Sequence, residues 1–450
     1  MEKSFVREVW RKATKLSSLK TISGEVTILG DKSISHRCII LGSLAEGESS
    51  FENILISGDT AATIEIFRSL GVNIDLIDEN IIKIHGVGLN GLDEPKHDLD
   101  AKSSGTTARL LIGLLSRQNF SSRMVGSNQL MKRPMARVID LFTDNGAKID
   151  SDKGNLPITF TPSSYTFNNL DTKVPSAQVK SAVILSSLYN NEPTIINEET
   201  LTRDHTERML LEMGIELVRL GNTITIPPVS KLNPLNMKVP SDISSAAFLI
   251  SLGVLKGENL LLKNVLINER RLGFVKVLKR MNASIEILNI KEISNELVGD
   301  IKVSKSDLVA TTIEPKEISD IIDEIPILTF IASQAEGKTI LKGANELRIK
   351  ESDRLENMKN FIQGLKGDIT MYEDGFAING VQDLDEGNVI TEDDHRVAMT
   401  AIIANIALGK KILPDNTDCI KDSYPTFFLD IDSIGGMINC LLYTSDAADE

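Results

Sequence analysis

SISHRCIILGSLAEGESSFENI, residues 33–54, opens on small polar residues, runs on as an apolar segment of helical length, then turns through Gly47 into a strand-like stretch. The plan returns at Ser104 (SGTTARLLIGLLSRQNFSSRMV), Ser176 (SAQVKSAVILSSLYNNEPTII), Ser244 (SSAAFLISLGVLKGENLLLKNV), Asp323 (DEIPILTFIASQAEGKTILKGA) and His395 (HRVAMTAIIANIALGKKIL). Successive openings lie 71, 72, 68, 79 and 72 residues apart, a regularity that marks internal repetition. Between these segments a second, shorter helix recurs, as in TAATIEIFRSLG and HTERMLLEMG, each ending at a residue tolerant of the left-handed conformation: Gly71, Gly146, Gly214, Asn282 and Gly367. A two-strand pattern follows each end.

The unit is therefore helix, strand, helix, strand, strand. The long helices are apolar on most faces, so they belong inside the protein rather than on its surface. Solenoid units run to about 20–50 residues, shorter than this one, which favours six units grouped three and three into two compact α/β domains with pseudo-threefold symmetry and buried helices. The sixth unit stops near Gly435 without its hairpin, and GEVTIL at 24–29 is a strand left over at the other end. Residues 1–30 are accordingly expected to close the last repeat and complete a discontinuous second domain. The first domain then spans 31–241, the second 242–437, and 438–450 forms a polar, non-periodic tail read as disordered or extraneous.

The 450 residues carry 49 Lys and Arg against 63 Asp and Glu, a formal charge of −14, which opposes non-specific binding to nucleic acid or anionic membrane. Mean hydropathy of −0.03 and the lack of any apolar run near 20 residues argue against a membrane span. Three cysteines, Cys38, Cys419 and Cys440, show neither a disulfide framework nor metal-ligand spacing. The N-terminus, MEKSFVREVWRKATKL, lacks the apolar stretch of a secretory signal, so a cytoplasmic protein is expected.

Helix openings carry unpaired N–H groups and partial positive charge, and so favour phosphate or carboxylate. Here they are decorated with further cations: Lys32 and Arg37 in GDKSISHR, Arg109 in SGTTAR, Gln178 and Lys180 in SAQVKS, and Arg396 in DHR. Loops between units add Lys132 and Arg133, Arg203, and Arg348, Lys350 and Arg354. An acidic chain that places cations repeatedly at helix openings is building local anion sites. Asp323, at a long-helix opening, and Glu351, beside Lys350, are the carboxylates placed for acid–base work, although Asp323 could equally be a helix N-cap.

Other chemistries fit poorly. Gly30-Asp31-Lys32-Ser33 fails as a P-loop ending because Asp31 is interposed, and GVGLNG at 86–91 is not followed by a helix, so it reads as a turn. His36, His205 and His395 lack ligand spacing for a metal, and no Ser-His-Asp arrangement is readable. The residues alone leave open a catalyst acting on small anions or a protein that only binds them.

Taken together, GDKSISHR, SSGTTARLL, MKRPMARV, SAQVKSA, TRDHTERML, DISSAA, ELRIKESDRL, DHRVAM and SYPTFF resemble the 5-enolpyruvylshikimate-3-phosphate synthase family across residues 20–436. The resemblance implies two domains of three inverted βαβαββ units joined by two crossover strands. It also implies transfer of the enolpyruvyl group of phosphoenolpyruvate to the 5-hydroxyl of shikimate 3-phosphate by a monomer without metal or organic cofactor. Position by position, Lys32, Ser33, Arg37, Ser176, Ala177, Gln178 and Arg203 match the residues around shikimate 3-phosphate. Gly105, Arg133, Lys350, Arg354 and Arg396 match those around phosphoenolpyruvate, with Lys32 and Gln178 reaching both. Asp323 matches the base for the 5-hydroxyl; Glu351 and Lys32 match groups that move the methylene proton.

Two positions depart from the family pattern. Ser103 stands where an Asn is usual, and Asp422 stands where some members carry a Lys, leaving Lys421 as the neighbouring contact. The sister family that acts on UDP-N-acetylglucosamine shares the fold but normally uses a loop cysteine in the first domain, and no Cys lies between residues 39 and 418. A catalytically silent anion-binding repeat protein is the remaining alternative.

Overall fold

The computed structural model describes residues 21–437. Six long helices mark the repeat: α1 (Lys32–Leu44), α2 (Gly105–Leu115), α3 (Ala177–Ser187), α4 (Ile243–Lys256), α5 (Ile325–Gln334) and α6 (His395–Leu408). Five begin at a side chain that accepts a backbone N–H of the first turn: Asp31, Ser104, Ser176, Asp242 and Asp394. The sixth, α5, starts at Glu324 with no side-chain cap. Asp323 is therefore not engaged in capping. Almost every residue of α4 and α6 is buried, as expected of helices apolar on all faces. Each enclosed Leu, Ile or Phe contributes about 1.5–3 kcal/mol through loss of apolar surface.

Five four-stranded sheets share one order, a parallel pair followed by two antiparallel pairings. In the second unit, Leu99–Asp100 pairs parallel with Ser122–Val125, which pairs antiparallel with Asn155–Thr161, which pairs antiparallel with Lys148–Asp152. The parallel step needs a helical crossover and the antiparallel step only a hairpin, so this order follows from the element sequence. The sixth unit keeps a two-stranded parallel sheet, Gly387–Val389 with Ile412–Pro414.

The leftover N-terminal strand does not close the last repeat. Ile22–Val26 pairs parallel with Gly257–Leu266 of the fourth unit, while Asn236–Lys238 pairs parallel with Glu46–Glu52 of the first. Each strand that precedes the first helix of one half thus completes the sheet of the other half. At residue 367 the expectation also shifts: Lys366 takes the left-handed conformation (φ 58°), and Gly367 is instead needed for space, because a Cβ there would press on Leu384 and Gln382.

Buried apolar side chains form two clusters. One gathers Ile22, Val26 and Ile28 with residues from Ile243 to Ile434; the other runs from Ile34 to Val239 and adds Leu266. The chain passes between them twice, side by side: Asp31 donates its N–H to the Pro240 carbonyl at 2.8 Å, and Asp242 donates to the Leu29 carbonyl at 3.0 Å.

Candidate active site

The openings of all six long helices converge on one cleft of about 1040 Å³, counting the space that opens to solvent. It is lined by Lys32 and Ser33 of α1, Gly105 and Thr106 of α2, Ser176 to Gln178 at α3, Asp242 and Ser244 at α4, Asp323 before α5, and His395 and Arg396 of α6. The positive ends of six helix dipoles therefore share one space. Eight basic side chains line it (Lys32, Arg133, Arg137, Arg203, Arg271, Lys350, Arg354 and Arg396) against five carboxylates, in a chain whose formal charge is −14.

Those carboxylates pair with the cations across the cleft. Arg203 donates to Asp323 at 2.7 Å, Arg133 to Glu351 at 3.1 Å, and Arg137 to Glu346 at 2.7 Å. Lys32 pairs with Asp59. Arg354 is held from behind: its Nε donates to Asp394 at 2.7 Å and one Nη to Glu351 at 2.6 Å, while the buried Nη1 has no hydrogen-bond partner and stands 3.6 Å from Asp323. Gly105 gives the guanidiniums room, since a Cβ there would lie 2.8 Å from Arg133 Nη1 and 2.9 Å from Arg109 Nη1. Gln178 is fixed at both ends, accepting from Arg109 at 2.9 Å and donating to Thr106 at 3.0 Å.

Protonation follows from this packing. Burial raises Asp323, but Arg203, Arg396, Lys350 and Arg354 overcome it and hold the carboxyl well below its usual range. Glu351 is likewise raised by burial yet held well below its usual range by Arg133, Arg354, His395 and Lys350. Burial pulls Lys350 down to about 8 despite Asp323 and Glu351. Burial, Lys32 and Arg396 lower His395 to about 3, so its imidazole is neutral, with Nε2 buried and unpartnered.

Among the residues expected at the site, Lys32, Ser33, Gly105, Arg133, Ser176, Ala177, Gln178, Arg203, Asp323, Lys350, Glu351, Arg354 and Arg396 all line the cleft. Two do not. Arg37 lies buried behind the wall, where Nε donates to Thr206 at 2.7 Å, Nη1 to the Ser33 carbonyl at 2.8 Å and Nη2 to Ser181 at 2.6 Å. One helical turn beyond Ser33, it props the opening of α1 from below. Lys421 sits in the 3₁₀ turn Asp418–Asp422, which stacks it on Asp418 at 2.9 Å and leaves its side chain 64% exposed. The same turn carries Asp422 toward the helix Gly58–Ser69, where its main-chain carbonyl accepts from Ser57 and burial together with Asp59 raises its carboxyl. Lys180 is another cation unavailable to a ligand, buried between Glu198 (3.1 Å) and Glu207 (2.8 Å). Ser103 bonds Ser127 at 3.0 Å and does not line the cleft.

The sequence reading did not single out Arg137, Glu346, Arg271 or Thr202. Arg137 lies in the first turn of the helix Ala136–Thr143, four residues after Arg133 in the extended stretch before it.

A family model described as EPSP synthase (3-phosphoshikimate 1-carboxyvinyltransferase) matches residues 16–431. The 3-phosphoshikimate 1-carboxyvinyltransferase of Oceanobacillus iheyensis is 42% identical over 417 residues, covering 92% of this chain and 97% of that protein. That of Petrotoga mobilis is 43% identical over 420 residues, covering 91% and 96%. Among solved structures, EPSP synthase from Acinetobacter baumannii superposes with a TM-score of 0.82 at 36% identity, covering 94% of this chain and 98% of that one. With six helix openings meeting over a cationic cleft and near-complete coverage of such relatives, the chain belongs to the EPSP synthase (3-phosphoshikimate 1-carboxyvinyltransferase) family.

Proposed function

We propose that this protein transfers the enolpyruvyl group of phosphoenolpyruvate to the 5-hydroxyl of shikimate 3-phosphate, releasing inorganic phosphate. The observation that carries the reading is the convergence of six helix openings and eight cations on one cleft, a setting for two small polyanions side by side. Lys32, Ser33, Ser176, Ala177, Gln178 and Arg203 are assigned to shikimate 3-phosphate. Gly105, Arg133, Lys350, Arg354 and Arg396 are assigned to phosphoenolpyruvate, whose phosphate and carboxylate suit the planar fork of Arg. Arg37 acts at one remove, through the Ser33 carbonyl it holds.

In the reaction the methylene carbon gains a proton, the 5-hydroxyl oxygen attacks the adjacent carbon and loses its own proton, and the tetrahedral adduct then expels phosphate and a methyl proton. Asp323 takes the hydroxyl proton; Glu351 and Lys32 serve the methylene. Charge stabilisation by pre-aligned cations and helix ends supplies the larger share of the acceleration. The two cores are read as domains, 31–241 and 242–437 with the N-terminal segment, that close about the paired crossings when shikimate 3-phosphate binds.

We read the protein as a cytoplasmic monomer acting on free metabolites. Its net charge opposes polyanions, and among the described residues no helix is long and apolar enough to cross a membrane. The deciding experiment is phosphate release from phosphoenolpyruvate with shikimate 3-phosphate against UDP-N-acetylglucosamine. Turnover with only the former is expected; turnover with only the latter, or with neither, would reject the proposal. Cys38 and Cys419 are both buried, which speaks against a cleft cysteine for the sugar-nucleotide reaction.

A further inference from the structure

Arg271 lies where the two chain crossings meet, with a side chain only 2% exposed. Its Nη2 stands 2.9 Å from Asp31 Oδ2, 3.0 Å from Ser244 Oγ and 3.4 Å from Asp242 Oδ1. Each partner governs a helix opening. Asp31 caps α1 by accepting from Ile34, and Asp242 caps α4 by accepting from Ser244 and Ser245. Asp242 also accepts the main-chain N–H of Lys32 at 3.0 Å, across from one core to the other. Ser244 Oγ in turn donates to Glu324, the neighbour of Asp323.

One guanidinium therefore ties the starts of α1, α4 and α5 together, and through them Lys32 and Asp323, which come from different cores. Its role is not explained by stability alone, because a buried ion pair roughly breaks even against apolar packing of the same volume. What it adds is fixed geometry, and misplacement by about 1 Å can cost about 10²-fold in rate. Arg271 borders the cleft but is only 2% exposed, and its Nη2 is committed to Asp31, Asp242 and Ser244 while Nη1 is buried without a hydrogen-bond partner.

We propose that Arg271 is a positioning residue for enolpyruvyl transfer, locking the two crossings so that Lys32 and Asp323 meet the reacting atoms together. This rests on the functional reading above. Arg271→Met keeps the volume and removes the charge, and Arg271→Lys keeps the charge. We expect kcat to fall by about 10²-fold in Arg271→Met, with KM for phosphoenolpyruvate within about threefold, and Arg271→Lys to recover about tenfold of that loss. A merely structural residue would lower Tm and leave kcat, measured well below Tm, within twofold of wild type; that result overturns the proposal. If Arg271→Met does not fold, Ser244→Ala decides: a kcat reduced about threefold or more at unchanged Tm supports the role, and an unchanged kcat overturns it. A wild-type enzyme that releases no phosphate overturns the functional reading and the role with it. An active wild type beside an equally active Arg271→Met overturns the role alone.

Discussion

Gly105→Ala is the sharpest probe of the phosphoenolpyruvate side. The added methyl carbon would stand 2.8 Å from Arg133 Nη1, 2.9 Å from Arg109 Nη1 and 3.0 Å from Arg133 Cζ. Van der Waals contact for such atoms begins at about 3.5 Å, so the Arg133 guanidinium must retreat by roughly 0.7 Å. It can do so, because what gives way is the far end of a long side chain rather than backbone. Gly105 is the first residue of α2 and carries no positive φ, and alanine is the better helix former, so stability should be unchanged or slightly higher. The loss falls on the ligand instead. A hydrogen bond to a charged group contributes about 1.5–3 kcal/mol, and losing about half of it costs about 1 kcal/mol. That corresponds to a KM for phosphoenolpyruvate about fivefold higher, with kcat reduced less. Steady-state phosphate release with phosphoenolpyruvate varied at saturating shikimate 3-phosphate measures it, alongside Tm. An unchanged KM, or a fall in Tm that accompanies the whole loss of activity, would refute the placement of Arg133 against that ligand.

Asp323→Asn should lower kcat by about 10²–10⁴-fold while shikimate 3-phosphate, followed by calorimetry, binds no more weakly, because a negative charge has left an anion site; retained kcat removes Asp323 from the mechanism. Lys350, at about 8 in the free protein, loses its ammonium as pH rises, so kcat/KM for phosphoenolpyruvate should fall above about pH 8, and Lys350→Arg should abolish that limb. The stability sign is opposite: between about pH 8 and the ordinary lysine value near 10.4 the unfolded chain holds the proton and the folded chain does not. Lys350 therefore contributes a rise in stability across that window, readable by urea titration at its two ends. Glu346→Gln breaks the Arg137 pair between the two cores, with side chains 17% and 32% exposed and a worth of at most about 1 kcal/mol. Small-angle scattering should show a larger radius of gyration without ligand and recovery with shikimate 3-phosphate, whereas identical curves would mean the pair does not help hold the cleft.

Repetition made the helix openings legible, because a capping residue and an apolar run leave a local trace every seventy or so positions. That trace also pointed to Lys32, Gln178 and Arg396, which line the cleft, since a residue in the first turn of such a helix has only one end to face. It could not tell a cation at the opening from one a turn deeper. Lys180 and Arg37 sit three and five residues past the first residue of their helices, where the chain has already entered the core and Glu198, Glu207, Thr206 and Ser181 absorb them. Lys421 lies off the cleft for a different reason: in a 3₁₀ turn successive side chains diverge by about 120°, so neighbouring residues are not interchangeable. The partner of the N-terminal strand was illegible because Ile22–Val26 pairs with a strand more than 230 residues away, and nothing in a five-residue strand names its neighbour. Arg271 was hidden in part for the same reason, its partner Asp31 being remote in sequence.

The ion pairs across the cleft resolve how an acidic chain keeps so many cations close together without ligand. Glu351, Asp323, Glu346 and Asp59 stand in for the substrates' charges, which spares the fold the repulsion of eight uncompensated cations. This arrangement also suspends the chemistry. While Arg203, Arg354 and Arg133 face Asp323 and Glu351, both carboxyls are held too low to be effective proton carriers, since a useful general base lies near the working pH. On the proposed reading, ligand anions that draw those guanidiniums away would raise the two carboxyls, because the depressing charges are then shared. On that reading the anions that fill the cleft also release Asp323 and Glu351 from the guanidiniums that hold them in the absence of ligand.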